Sequence, residues 1–454
     1  NSNIFIGQGN APAISNNNTI IGDNNTNVTG NGHNIIGNQN TVGGGNNNNV
    51  LGDNTTVDGA RNVAIGQNGS ATGSDTVVIG TRAEAIGSGN VAIGRDSEAT
   101  GANSAALGSD AEASGTNALA LGQDASAMGG NTTAVGQGTT AAGIGTTALG
   151  QDAAAAGVFS TATGASASSV GSFFSTSTGA LSNSNFSFAS IATGFGADSS
   201  FSFGSTTTGA GSTVAGTLFG TANGTGTTVA AGTTGGIASG AFASASADFA
   251  SAYGTGSSAS GTGATALGAN SDASGDGAIA VGDSNATNTN SVAVGTGASS
   301  TALDALAVGT GAGATQTNSL AIGTGAGATG TSAIAMGSGA SASQTNAIAI
   351  GTGSAASGPG AIAIGHGAIA TGSIAAGTGA VASNGGAAFG DRSTATGTNA
   401  TAVGPDARAT FAGSAAFGSG ATATMANEQV FGTASNTYTT PGITSQLSKD
   451  RQTA

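Results

Sequence analysis

SGNVAIGRDSEATG (88–101), ANSAALGSDAEASG (102–115) and TNALALGQDASAMG (116–129) follow one another without a gap. Each is one copy of a 14-residue unit whose first half ends in Ala-[IL]-Gly and whose second half reads x-Asp/Asn-x-x-Ala-x-Gly. Glycines recur every seven residues, at Gly94, Gly101, Gly108, Gly115, Gly122 and Gly129. A fixed short period in sequence is the mark of one structural unit stacked on itself.

Working outward, the period generates columns. A bulky column runs Ile65, Ile79, Ile93, Leu107, Leu121, Val135, Leu149, preceded by a mostly alanine column, Ala64, Val78, Ala92, Ala106, Ala120, Ala134, Ala148. A third column, in the second half-unit, is alanine throughout: Ala71, Ala85, Ala99, Ala113, Ala127, Ala141, Ala155. Helix is excluded, because glycine at this frequency costs about 1 kcal/mol each in a helix interior and the apolar spacing is not 3.6. Val91-Ala92-Ile93 reads as a short strand and Ser97 to Thr100 as a second, with glycine at the corners supplying positive φ. Two strands and two turns make one coil of a parallel β-solenoid, an all-β fold. About thirty such coils at ~4.8 Å each predict a rod on the order of 150 Å long.

Other parts of the chain vary this unit. Residues 1–60 are asparagine-rich with a 15-residue step, seen in Ile20-Ile21-Gly22, Ile35-Ile36-Gly37 and Val50-Leu51-Gly52. Asparagine suits tight turns and stacks in hydrogen-bonded ladders, so this tract reads as coils, not as a linker. Residues 61–157 are regular. Residues 158–253 replace Ala-Ile with serine, threonine and most of the chain's 16 phenylalanines, and a coil continued with different packing, or with insertions, is expected there. Residues 254–432 return to the regular unit, and 433–454 read as an exit segment toward a stalk or further module.

Composition narrows the function classes. Only 7 residues are Lys or Arg against 21 Asp or Glu, so no basic footprint for nucleic acid or anionic lipid exists. There is no cysteine, hence no disulfide or thiolate metal site. No run of 18 apolar residues is present, so no direct membrane insertion by a helix of this segment is expected. The start at Asn1 reads as that of a processed or excised piece. Low charge with periodic apolar residues at 38% argues against disorder.

Both faces of Val91-Ala92-Ile93 are apolar, as in strands buried on two sides. One face closes the coil. The other leaves an apolar stripe along its length, which identical chains would cover by self-association with closed symmetry, twofold or threefold.

NVAIGRDSEATGANSAALGSDAEASGTNALALG resembles the head repeats of trimeric autotransporter adhesins, the YadA-like bacterial surface proteins. The similarity lies in the period, the glycine positions and the Ala-[IL]-Gly triplet, over about 61–157 and 254–432. EQVFGTASNTYTTPGITS is similar to the segment that closes such heads. The resemblance implies a left-handed parallel β-roll, assembled as a homotrimeric rod at the tip of a surface fibre, outside the bacterium and anchored in the outer membrane through a part not in this chain.

No catalytic set is visible, and no cofactor is called for. His33 and His366 lie in glycine-flanked stretches and read as solvated turn residues. Two sets of residues stand out. Asp96, Asp110 and Asp124 recur at 14 residues, as do Glu84, Glu98 and Glu112. Stacked about 5 Å apart they repel, and either a hard cation or a solvated acidic face with Arg82 and Arg95 alongside resolves this. Phe173, Phe174, Phe186, Phe188, Phe201 and Phe203 form either an exposed adhesive patch or filling for the centre of an oligomer, with bulk replacing the Ile column. The function expected is a non-enzymatic adhesin head that attaches to matrix, cells or surfaces by multivalent contact with an unidentified extracellular ligand. The alternative is a purely structural fibre or spacer, including a phage-type fibre. Ice binding by a threonine array is disfavoured by the lack of a Thr-x-Thr column in the regular repeats.

Overall fold

The computed structural model describes residues 2–11 and 15–439, in two units, Asn1–Gly256 and Ser257–Ala454. The expected exit segment lies outside the described residues from 440 onward. Each unit is a stack of coils joined by parallel pairing, without helix among the described residues. In the regular coils a three-residue strand, such as Val91–Ile93, is followed by a turn, a two-residue strand, Glu98–Ala99, and a second turn. Val91–Ile93 pairs with Val77–Ile79 on one side and Ala105–Leu107 on the other, always in 14-residue register. Turns pair as well: Asp110 N–H donates to the Arg95 carbonyl (2.8 Å), repeating what Asp96 does with Thr81 (2.9 Å). Within each unit neighbouring coils are thus bonded to one another, at a net gain of about 1 kcal/mol per bond.

The alternation expected for the strands is present. Ala92 and Ala99 are fully buried, and Val91 and Ile93 point outward, half-buried. The core of a coil is only as wide as two facing methyl groups, which is why alanine fills it. In the asparagine-rich coils the inner column is bulkier: Ile20, Ile35 and Val50 occupy the column that is mostly alanine from Ala64 onward. Bulky inner residues elsewhere are matched by a glycine. Val229 faces Gly236, where a Cβ would stand 2.7 Å from its Cγ1.

The corners differ from the expectation that glycine supplies all the positive φ. Gly94 does so (φ 143°), but Gly101 does not; there a Cβ would collide with the carbonyl oxygen of Gly115 one coil on, and close approach is the reason for glycine. The left-handed residues of the turns include Asp96, Asn103, Asp110, Asn117 and Asp124, at φ 54° to 57°. Asp and Asn recur in the unit because they adopt this conformation more readily than other side-chain-bearing residues.

Stacking continues through 158–253 in coils of mostly 15 residues: Thr161, Thr176, Ile191, Thr206 and Thr221 are successive register partners. These coils have a third edge. Phe173, Phe188 and Phe203 bridge one another in parallel along it, separate from the Asn183–Asp198–Thr213 edge.

His33 is not a solvated turn residue. It is fully buried, in an inner column with Asn18, Asn48 and Asn62. Each side chain of this column accepts the next coil's backbone N–H: His33 N–H donates to Asn18 Oδ1 (2.8 Å), Asn48 N–H to His33 Nδ1 (3.2 Å) and Asn62 N–H to Asn48 Oδ1 (2.9 Å). Histidine substitutes here for asparagine as an acceptor. His366 is exposed, as expected.

Candidate functional site

The two strand faces differ outward. Residues that follow the buried alanines of the three-residue strands are apolar in the regular coils: Leu121, Leu267, Ile350 and Ile364 are all more than a third exposed. Those that precede them are mostly apolar, with threonine at Thr133, Thr147, Thr265 and Thr401. Outward positions of the two-residue strands are mostly polar, as in Glu98, Ser126, Asp272 and Thr394. The apolar stripe therefore lies on one sheet face only.

The acidic columns sit as the period implies. Glu84, Glu98 and Glu112 are direct register partners. Partial burial, with Glu112 and Glu84 on either side, raises the Glu98 carboxyl above its ordinary range. Ser114 Oγ donates to Glu112 (2.9 Å). The aspartates have another resolution. Arg82 grips Asp96 through Nε and an η nitrogen at 2.5 Å, holding its carboxyl below the usual range, and Arg95 reaches Asp110 at 3.4 Å. Arg61–Asp75 and Arg392–Asp406 repeat the bidentate pairing between adjacent coils. Among the described residues no group of three His, Asp or Glu is arranged to hold a metal ion.

The phenylalanines lie on the turns and the third edge, not in the Ile column. That column holds Thr163, Thr178, Thr193 and Thr208 here, which corrects the reading in which bulk replaces isoleucine. Phe159, Phe174, Phe186, Phe201 and Phe219 have φ between 52° and 57°, a conformation that costs a bulky residue about 1–2 kcal/mol. All five are more than half exposed. Their rings stack along the coils: Phe186 on Phe201 at 5.3 Å, Phe159 on Phe174 at 5.6 Å, Phe188 on Phe203 at 4.9 Å. A groove of about 550 Å³ runs between Phe186 and Phe201 on one wall and Phe173, Phe188, Phe203 and Leu218 on the other. Its floor residues Ser187 and Ser202 are buried and bonded to backbone carbonyls. Phe174 belongs to the adjacent edge, its ring at 75° to that of Phe188. Of the six aromatic positions the sequence singles out, five line one groove. Missed were Phe159, Phe219, Phe242 and Phe249, which share the left-handed conformation and each lie against a glycine of the preceding coil, Gly145, Gly204, Gly226 and Gly235.

The fold and surface define a repeat-built, parallel β-solenoid that displays faces instead of enclosing a cleft. The family model of the YadA head domain repeat, in two-copy form, matches at 71–97, 85–111, 113–139, 141–167, 259–285, 283–298, 300–326, 328–354 and 395–421. The chain is a YadA-like head, built from the head repeats of trimeric autotransporter adhesins. It is an adhesin-type or fibre module of that surface-exposed, non-enzymatic family. No curated protein matches the chain.

Proposed function

We propose that this chain is the adhesive head of a bacterial surface fibre, assembled from three copies and carried outside the cell by an outer-membrane anchor beyond this segment. The observation that carries the reading is the exposed aromatic groove between Phe186/Phe201 and Phe188/Phe203. Left-handed phenylalanine is costly in strain and, exposed, gains little from burial, and strain retained in several coils points to use at a contact site. The apolar stripe of the regular coils supports assembly, and several copies with repeated coils sum weak contacts by avidity. Attachment to matrix, cells or abiotic surfaces follows from such a surface, and the acidic columns serve as a solvated face.

Retention of the purified fragment on immobilised matrix proteins, cells and hydrophobic surfaces tests this. Phe186→Asn with Phe201→Asn, which suits the left-handed turns, is expected to reduce retention with the fold intact. A correctly assembled head that is retained by none of these surfaces would instead favour the spacer reading.

A further inference from the structure

The outward face of the three-residue strands changes character inside the first unit. Up to Leu149 its second column is apolar, ending in Leu121, Val135 and Leu149. It then becomes Thr163, Thr178, Thr193, Thr208 and Asn223. The first column, already threonine at Thr133 and Thr147, reads Thr161, Thr176, Ile191, Thr206 and Thr221 over the same coils. None of the eight outward threonine hydroxyls from Thr161 to Thr221 has a hydrogen-bond partner within the described residues, whereas the inward Thr207 hydroxyl donates to the Asp198 carbonyl (3.2 Å). A block of hydroxyls that the chain itself leaves unpaired therefore interrupts an apolar stripe, with Ile191 as a single apolar mark inside it.

Such a pattern answers a problem that repeats create. Two identical stripes repeating at every coil match almost as well after sliding by one coil as in register. A slid contact is heterologous and grows into open filaments, whereas a closed assembly needs identical residues at one height. A polar block within an apolar stripe removes the degeneracy, since sliding sets threonine hydroxyls against Leu149 and Ile191 against threonine. Unpaired polar groups against apolar neighbours are costly, and single polar positions are known to fix register in other repeating interfaces.

We propose that the threonine block from Thr161 to Asn223 is a register lock for lateral self-association, its occupant being the same face of a second copy of this chain. The inference rests on the self-association reading above. It identifies what the irregular coils contribute to assembly, separately from the phenylalanine edge.

The chain lacks cysteine, so single cysteines report register cleanly. With Thr193→Cys and a short bis-maleimide, same-position cross-links are expected, and mixing with Asn223→Cys chains is expected to give no 193-to-223 product. Valine at Thr161, Thr163, Thr176, Thr178, Thr206 and Thr208 keeps the strand-forming shape and removes the hydroxyls. This variant is expected to lose exclusive same-position linkage, to gain the 193-to-223 product, and to sediment partly as species larger than the closed assembly. Should the sixfold variant not fold by circular dichroism, Thr176→Val with Thr206→Val is the smaller change and is expected to move the same readouts less. A folded valine variant that stays closed and in register overturns the lock alone. A parent fragment that sediments as a monomer overturns the self-association reading together with it.

Discussion

The backbone N–H of Asn48 donates to Nδ1 of His33, 3.2 Å away, in the buried inner column of the asparagine-rich coils. His33 Nε2 lies 2.9 Å from the Thr29 carbonyl oxygen. The two contacts fix one neutral tautomer, with Nδ1 accepting and Nε2–H donating. Burial lowers the imidazole's affinity for a proton, more than the Thr29 contact raises it. A folded value below the unfolded one means that the unfolded chain takes up the proton first. The stabilisation is present above the unfolded histidine range and is lost as pH falls from there through the lower folded value. Protection factors for hydrogen exchange at the Thr19, Asn34 and Asn49 amides, corrected for the slower intrinsic exchange in acid, are expected to fall on acidification to mildly acidic pH. In His33→Asn, which restores the residue of the coils before and after, that part of the acid sensitivity should vanish with little loss of stability at neutral pH.

Glu98 gives the opposite sign from a carboxylate held by arginine. Its carboxyl is raised by burial first and by Glu112 and Glu84 second, so the folded chain holds the proton more tightly than the unfolded one. The strain is absent at low pH and grows as pH rises through the glutamate range. Glu98→Gln is expected to stabilise at neutral pH by about 0.5 kcal/mol, the scale of a cross-strand like-charge pair. The gain in urea midpoint should disappear in acid. Asp96, lowered by Arg82, behaves conversely: the benefit of its pair is present at neutral pH and is lost as pH falls through the folded aspartate range.

Ring-on-glycine contact is a specific requirement of the phenylalanine turns. Gly171 (φ 65°) lies beneath Phe186, and a Cβ there would stand 2.8 Å from ring carbons. Gly196 has a similar φ of 62° with nothing within 4 Å. Gly196→Ala is expected to cost about 1–2 kcal/mol for the left-handed backbone alone. Gly171→Ala should cost more, and the excess should fall away in a Phe186→Asn background. Equal costs at the two glycines would mean that the ring yields freely.

Much of this was legible in the sequence, and the exceptions have physical reasons. Strand alternation separates Ala92 from Ile93, and the 14-residue step fixes the parallel register, so the coil and its apolar stripe follow from Ser88–Gly129 alone. The third edge does not. Phe186-Ser187-Phe188 and Phe201-Ser202-Phe203 do alternate as a strand does, but that alternation does not say that Phe173, Phe188 and Phe203 form an edge of their own, which needs the register. Phe186 and Phe201 stand in left-handed turns, a conformation that propensity assigns to Asn, Asp and Gly. His33 was misread from its glycine neighbours, although its spacing of 15 from both Asn18 and Asn48 carries the signal. The aromatic groove was half legible: its members are evident in the sequence, but their common wall needs the register.

The pairing of Val229 with Gly236 tests how narrow the interior is. A Cβ at Gly236 would stand 2.7 Å from Val229 Cγ1, and the backbone there does not need glycine for its conformation. In the next coil the register partner of Val229 is Ala245, and the position equivalent to Gly236 is Ala250. The two coils thus fill the same section in two ways, one with a large and a void-leaving residue, the other with two equal methyls. Val229→Ala alone removes two methyl groups and leaves a gap, at an expected cost of about 1–2 kcal/mol. Gly236→Ala alone overpacks the section, with an expected cost of about 1–3 kcal/mol. The double variant reproduces the Ala245/Ala250 pair and is expected to be close to the parent. The coupling measured in a denaturant double-mutant cycle should then offset most of the two single costs. Additive costs would show instead that the coil dilates to admit a methyl group, and that alanine in the inner columns is not set by the width of the core.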